Sequence, residues 1–223
     1  MEIPLFPLPN LVLFPNVILP LHIFEERYKH MINECIDRSE TFGILCIRSN
    51  AQEETDQTIH RTGTTARVIQ VERIDGGRLN IMCQGEARFR VSRFVQNAPY
   101  WKAAVEFVED RESETEKVGL LAEEVASLYR KAFELGVQLN AVTSADLQLP
   151  ESPVELSFMV SYVLDVDAEE KQKLLEMTST TQRLRTLVGM IDETIHKLER
   201  QIAYKEIAHK VRGNGDLGKP GSH

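Results

Sequence analysis

A chain of 223 residues can hold one good core or two small ones, and 42% hydrophobic with 27% charged residues is the composition of an ordinary globular protein. The net charge of -8 opposes general attraction to phosphate backbones, since nucleic-acid binding depends on clustered Lys and Arg that release counterions. Three cysteines, Cys35, Cys46 and Cys83, form neither an even disulfide set nor a CxxC pair, and each sits among apolar residues, as buried thiols in a reducing compartment would.

The chain opens with IPLFPLPNLVLFPNVILPLHIFEERY, from Ile3 to Tyr28. No basic segment leads it, and Pro4, Pro7, Pro9, Pro15 and Pro20 break the apolar run, so it does not read as a signal peptide. No later segment approaches the length of a membrane span, and the expected location is the cytoplasm. Proline has no N–H to give to a strand ladder, so this stretch is predicted as extended edge strand and loop rather than central sheet. A helix should begin close to Glu25, with Ile23, Tyr28, Met31 or Ile32, and Cys35 or Ile36 near helical spacing.

From Gly43 to Phe107 the pattern is that of strands. GILCI is a short apolar run, and TARVIQVERI, then Asp75-Gly76-Gly77, then RLNIMC reads as a hairpin whose glycines supply positive φ. In ARFRVSRF, Phe89 and Val91 alternate with Arg88, Arg90 and Ser92, which predicts one buried face and one wet face. Gly63 and Gly85 mark strand entries or bulges. Arg48 to Thr58, with an alanine as its sole apolar residue, is a solvated loop, and the acidic run from Glu106 to Lys117 marks a subdomain boundary and a helix start.

Helical spacing follows. Val118, Leu121, Val125, Leu128, Ala132, Leu135 and Leu139 form one stripe of a long amphipathic helix. Ser152, Pro153 and Glu155 make a capping box for a helix running towards Leu164, and the same spacing recurs at Asp167 with Glu170 and at Ser179 with Gln182. In the last segment Leu184, Val188, Ile191, Ile195, Leu198 and Ile202 form a heptad seam, which either packs within a local bundle or pairs with another chain. Strands first and helices afterwards predict an α+β protein.

Chemistry-bearing patterns are weak. GNGDLGKP, from Gly213 to Pro220, has the glycine and lysine spacing of a phosphate loop, but Pro220 stands where Ser or Thr would hold magnesium, and neither a strand before it nor room for a helix after it is present. The histidines form no HExxH motif, no GxSxG elbow occurs, and no neighbouring charge would activate a cysteine. Adjacent carboxylates such as Glu25-Glu26 and Glu123-Glu124 diverge on a helix. No catalytic, cofactor-binding or metal-ligating residue is assigned.

The opening stretch, GILCI, RTGTTARVIQVERIDGGRLNIMCQGEARFRV, PYWKAAVEFVED and the helical LSFMVSYVLDVDAEEKQKLLEMTSTTQRLRTLVGMIDETIHKLE together resemble the LON amino-terminal domain family, in order, from about Glu2 to Tyr204. The resemblance implies a β-rich, PUA-like pseudo-barrel over 1-112, a helical bundle over 113-210 ending in a long helix, and a tail over 211-223. It implies a non-catalytic polypeptide-binding or adaptor module, similar to the substrate-recognition domain of Lon protease but with no ATPase or protease sequence after Tyr204. Partners would be unfolded or partly folded polypeptides or an ATPase or protease component. Candidate polypeptide contacts are those of Phe6, Phe14, Phe24, Tyr28, Tyr100 and Trp101 that the core leaves exposed. The seam from Leu184 to Ile202 is the candidate for weak self-association or docking. A third option, a small ligand or RNA on the sheet, would use Arg67, Arg73, Arg78, Arg88, Arg90 and Arg93, against the net charge.

Overall fold

The computed structural model describes residues 1–49, 51, 53–111, 116–140 and 147–214, the side chains of 209–214 excepted. Its strands are β1 (Glu2–Pro9), β2 (Ile18–Ile23), β3 (Phe42–Ile47), β4 (Thr62–Arg73), β5 (Leu79–Gln96) and β6 (Trp101–Phe107), with α1 (Glu26–Arg38) inserted after β2. Four helices follow: α2 (Glu116–Asn140), α3 (Pro153–Val163), α4 (Ala168–Glu176) and α5 (Thr180–Asn214). The α+β class is as predicted.

The sheet runs β2-β5-β4-β3-β1-β6, and β6 also pairs with β5, so five strands close into a ring and β2 is appended outside it. The 18-residue β5 makes this possible, since its first half pairs with β2 and its second half with β6. Register shifts in the β4–β5 ladder, between Thr64 and Ala66 and between Val68 and Gln70, bend the pair as barrel closure requires. Gly85 lies at the first of these, and a Cβ there would stand 2.3 Å from the Phe14 carbonyl oxygen. The predicted hairpin is present, with φ of 76° at Gly76 and 69° at Gly77.

The opening segment departs from prediction. β1 is an interior strand, parallel to β3 through residues 5–9 and antiparallel to β6 through residues 2–5. Its prolines fit because the two ladders overlap only at Leu5, so Pro4, Pro7 and Pro9 each lie where the strand has a neighbour on one side. Residues 10–17 then run against β4 and β5, held by Asn16 N–H to the Gly85 carbonyl, Gly85 N–H to the Val17 carbonyl, and Thr64 Oγ1 to the Leu13 carbonyl at 2.6 Å. Only β2 is the edge strand the prolines predict.

Phe89 fills the barrel with Ile3, Leu5, Leu45, Val91 and Trp101. A second, larger core joins α1 and the outer barrel wall to the helices, so one apolar cluster includes both Phe14 and Phe158. The helix caps are as predicted: Glu155 N–H to Ser152 Oγ, Glu170 N–H to Asp167 Oδ1 and Gln182 N–H to Ser179 Oγ. α2 begins at Glu116; residues 112–115 of the acidic run lie outside the described residues. Of the phosphate-loop match only Gly213 and Asn214 fall within α5, and its remainder, with most of the tail assigned to 211-223, lies outside the described residues.

Candidate functional site

The edge strand β2 carries the most distinctive surface of the sheet. Alternate residues of a strand face opposite ways, and here Leu19 and Ile23 are buried while Ile18, Pro20 and His22 face out. Ile18 is 50% exposed and Phe24, just past the strand end, is 61% exposed. Cross-strand register sets Pro20 beside Met82 and His22 beside Asn80 on β5, and Gln70 beside Met82 and Glu72 beside Asn80 on β4. These side chains border a shallow groove of 430 Å³ across the three strands.

A hydrogen-bonded row crosses that groove. Asn80 Nδ2 donates to Glu72 Oε2 at 2.9 Å, which leaves Asn80 Oδ1 to accept from His22 Nδ1 at 2.7 Å and so sets the imidazole tautomer. His22 also stacks on Phe24, with centroids 5.9 Å apart. Because β2 has β5 on one side only, half of its backbone N–H and C=O groups face away from the sheet, and among the described residues no strand pairs with them. The result is a rigid, partly apolar platform with a few oriented polar groups, which suits holding extended chain and offers no nucleophile paired with a base.

Of the six aromatic residues singled out from the sequence, Phe24 alone is exposed. Phe6, Phe14, Tyr28, Tyr100 and Trp101 are all buried, so their side chains belong to the protein's own core rather than to a binding surface. Phe6 packs on Tyr28 with centroids 4.0 Å apart, Phe14 on Phe158, and Trp101 edge-on against Phe94. Tyr100 donates its hydroxyl to Glu34 at 2.6 Å, a bond that lowers the Glu34 pKa. Sequence reasoning missed Ile18, Met82 and the row of His22, Asn80 and Glu72, because only the register of three strands brings them together.

The heptad seam is occupied from within. Leu184, Ile191 and Ile195 are buried in the bundle core, and Val188 and Leu198 pack against it. Ile202 is half-buried near the end of the contact with α2, where Lys205 Nζ donates to the Leu139 carbonyl at 2.7 Å. Past that point Tyr204 and Ile207 are exposed.

The arginines of the strand region divide. Arg67 pairs with Glu86, Arg73 donates to Asn33, and Arg78 donates to the Asp75 carbonyl, while Arg90 and Arg93 stay on the wet face. Arg88 corrects the expectation of a wet face: it alternates with Phe89 but is 4% exposed, because helical residues cover that face of the strand there. Its guanidinium donates to the Leu175 and Met177 carbonyls and to Asp110.

Asp110 is the centre of a buried ionic network that the sequence did not disclose. Arg183 Nη2 donates to Asp110 Oδ2 at 2.5 Å and Arg183 Nε to Ser157 Oγ at 2.8 Å, while Thr180 Oγ1 donates to Asp110 Oδ2 at 2.5 Å. Both guanidiniums lie over the Phe158 ring, 4.0 Å and 5.1 Å from its centroid. Burial pushes the Asp110 carboxyl up, but the Arg183 bond and charge, the Thr180 bond and the Arg88 charge outweigh it and hold the group below the usual carboxylate range. This network ties β5 and the stretch after β6 to α3 and α5, fixing the bundle on the barrel.

Among the described residues no group of three or more His, Cys, Asp or Glu could hold a metal ion, and no helix is long and apolar enough to cross a membrane.

A family model described as the ATP-dependent protease La (LON) substrate-binding domain matches residues 2–193. Lon protease 2 of Myxococcus xanthus is 30% identical over 204 residues, which is 90% of this chain and 25% of that protein. Lon protease of Anaeromyxobacter dehalogenans is 29% identical over 90% of this chain and 24% of its own length, so the chain spans about a quarter of the curated relatives it matches. Two solved structures share the fold. The Lon N-terminal domain protein from Xanthomonas campestris has a TM-score of 0.63 at 22% identity, covering 85% of this chain and 98% of that one. The N-terminal domain of the Mycobacterium avium complex Lon protease has a TM-score of 0.63 at 20% identity, covering 86% and 98%. With a six-stranded sheet, a following helical bundle and a family match over residues 2–193, the chain belongs to the LON substrate-binding domain family.

Proposed function

We propose that this chain is a non-catalytic polypeptide-recognition module that holds extended, incompletely folded segments on the outer face of β2. One observation carries the reading: in a substrate-binding family, the exposed apolar side chains Ile18 and Phe24 flank a groove on a strand with one free edge. An unfolded segment buries apolar area there without demanding a particular sequence, and its backbone finds unpaired N–H and C=O groups at the edge. ATP hydrolysis and peptide cleavage belong to whole Lon proteases and are not carried over. The cysteines suit a reducing compartment such as the cytoplasm: burial raises Cys35 and Cys46 to about 11 and Cys83 to about 12, so none is a reactive thiolate.

The test is binding of a reduced, alkylated and permanently unfolded polypeptide, followed by fluorescence anisotropy. The paired substitution Ile18→Ser with Phe24→Ser should weaken binding ~10-fold, the equivalent of ~1.4 kcal/mol from two partly buried side chains. The exposed Tyr204→Ser should leave it unchanged. Absence of binding by the unaltered protein would end the proposal. A second reading, docking on an ATPase or protease component or on another copy, rests on Tyr204 and Ile207 at the far end of α5 rather than on the buried seam.

A further inference from the structure

The groove beside β2 carries a charge that the described residues leave without a counter-ion. Glu72 is exposed at the groove's margin and accepts one hydrogen bond, from Asn80, and among the described residues it has no ion-pair partner. The nearest arginines in sequence are engaged elsewhere: Arg73 Nη1 donates to Asn33 Oδ1 at 3.0 Å and Arg78 Nε to the Asp75 carbonyl at 3.1 Å. Nor does any lysine or arginine line the groove, whose other members are Pro20, Leu21, Ile81, Met82, Gln70 and the His22 and Asn80 pair. A carboxylate beside proline and methionine side chains is complementary to an apolar segment carrying a cation, and repels an anionic one.

We infer that the groove selects polypeptide segments in which a lysine or arginine lies beside apolar residues, the cation facing Glu72 and the apolar side chains resting on Pro20 and Met82. This rests on the polypeptide-binding reading above and adds a substrate class to it. Side chains two positions apart on an extended segment share a face, which matches the spacing between the apolar and polar ends of the groove. Glu72 is solvated, so its preference is modest: exposed ion pairs change an equilibrium constant by up to ~5-fold.

The test uses two short labelled peptides with identical apolar positions, one carrying lysine and the other glutamate two positions from an apolar residue, titrated with the full chain. The lysine peptide is expected to bind ~5-fold more tightly at low salt, a ratio that shrinks at high salt. The overall charge of the chain would favour the lysine peptide too, so Glu72→Gln is compared with Glu123→Gln, an exposed α2 residue giving the same change in net charge. Glu72→Gln should bring the ratio towards one and Glu123→Gln should leave it unchanged. Equal binding of both peptides, or a lysine preference surviving intact in Glu72→Gln, overturns the inference while leaving polypeptide binding standing. Binding of the unfolded polypeptide with neither peptide bound does the same, and binding of none of the three removes both. Sedimentation of the protein alone covers the competing occupant: a dimer abolished by Ile18→Ser with Phe24→Ser would assign the groove to a second copy and overturn the inference.

Discussion

Asp110 shows how one carboxylate can decide the geometry of two layers. Its side chain is 8% exposed and is held by Arg88, Arg183 and Thr180, with Phe158 beneath both guanidiniums. Removing the charge in Asp110→Asn strands two buried arginines without a counter-ion, and the expected loss is ~3–5 kcal/mol in a urea titration at neutral pH. The pH dependence follows from its lowered pKa. An unfolded aspartate takes up its proton at ~pH 3.9, so the contribution is complete above that value and is lost as pH falls through the lower folded value. Asp110→Asn should therefore flatten the acid limb of stability against pH. An unchanged limb would show that other carboxylates control it. Nothing in EFVEDRESETEK distinguishes Asp110 from its acidic neighbours; only the fold places it opposite Arg88 and Arg183.

At the level of elements, local signals were legible and pairings were not. The capping residues Ser152, Asp167 and Ser179 each accept the predicted backbone N–H, because a cap is settled within four residues of chain. The α1 spacing and the Asp75-Gly76-Gly77 turn were legible for the same reason. β1 was read as an edge because proline weakens a ladder. The prolines are tolerated instead because the β3 and β6 ladders meet only at Leu5, an offset set by strands some 40 to 100 residues away. α5 makes the competing readings of its seam measurable. Ile191→Ala, in the bundle core, should cost ~2–5 kcal/mol of stability, whereas Tyr204→Ala should change it by less than ~0.5 kcal/mol. Were the seam an interface with another chain, Ile191→Ala would alter association and spare the stability of the single chain.

On the scale of the whole molecule, the barrel and the bundle share one apolar cluster and one ionic network, so the helices buttress the sheet, while the β2 groove is lined by strand residues. Within β2 the inward side chains Leu19 and Ile23 anchor the strand, and the outward Ile18, Pro20 and His22 lie at the surface. The candidate site was only partly legible in the sequence. Phe24 was among the aromatic residues chosen, but the other five were chosen by residue type, and bulk and hydrophobicity select equally for the core. Ile18, Met82 and Glu72 lack any signal of their own until β2, β5 and β4 are laid side by side.

The most direct measurement is amide chemical-shift mapping of the full chain as a permanently unfolded polypeptide is added. Polypeptide recognition at β2 requires shifts at Ile18, His22, Phe24, Asn80 and Met82, with Tyr204 and Ile207 unmoved. Shifts confined to α5, or none anywhere at saturating polypeptide, would contradict it.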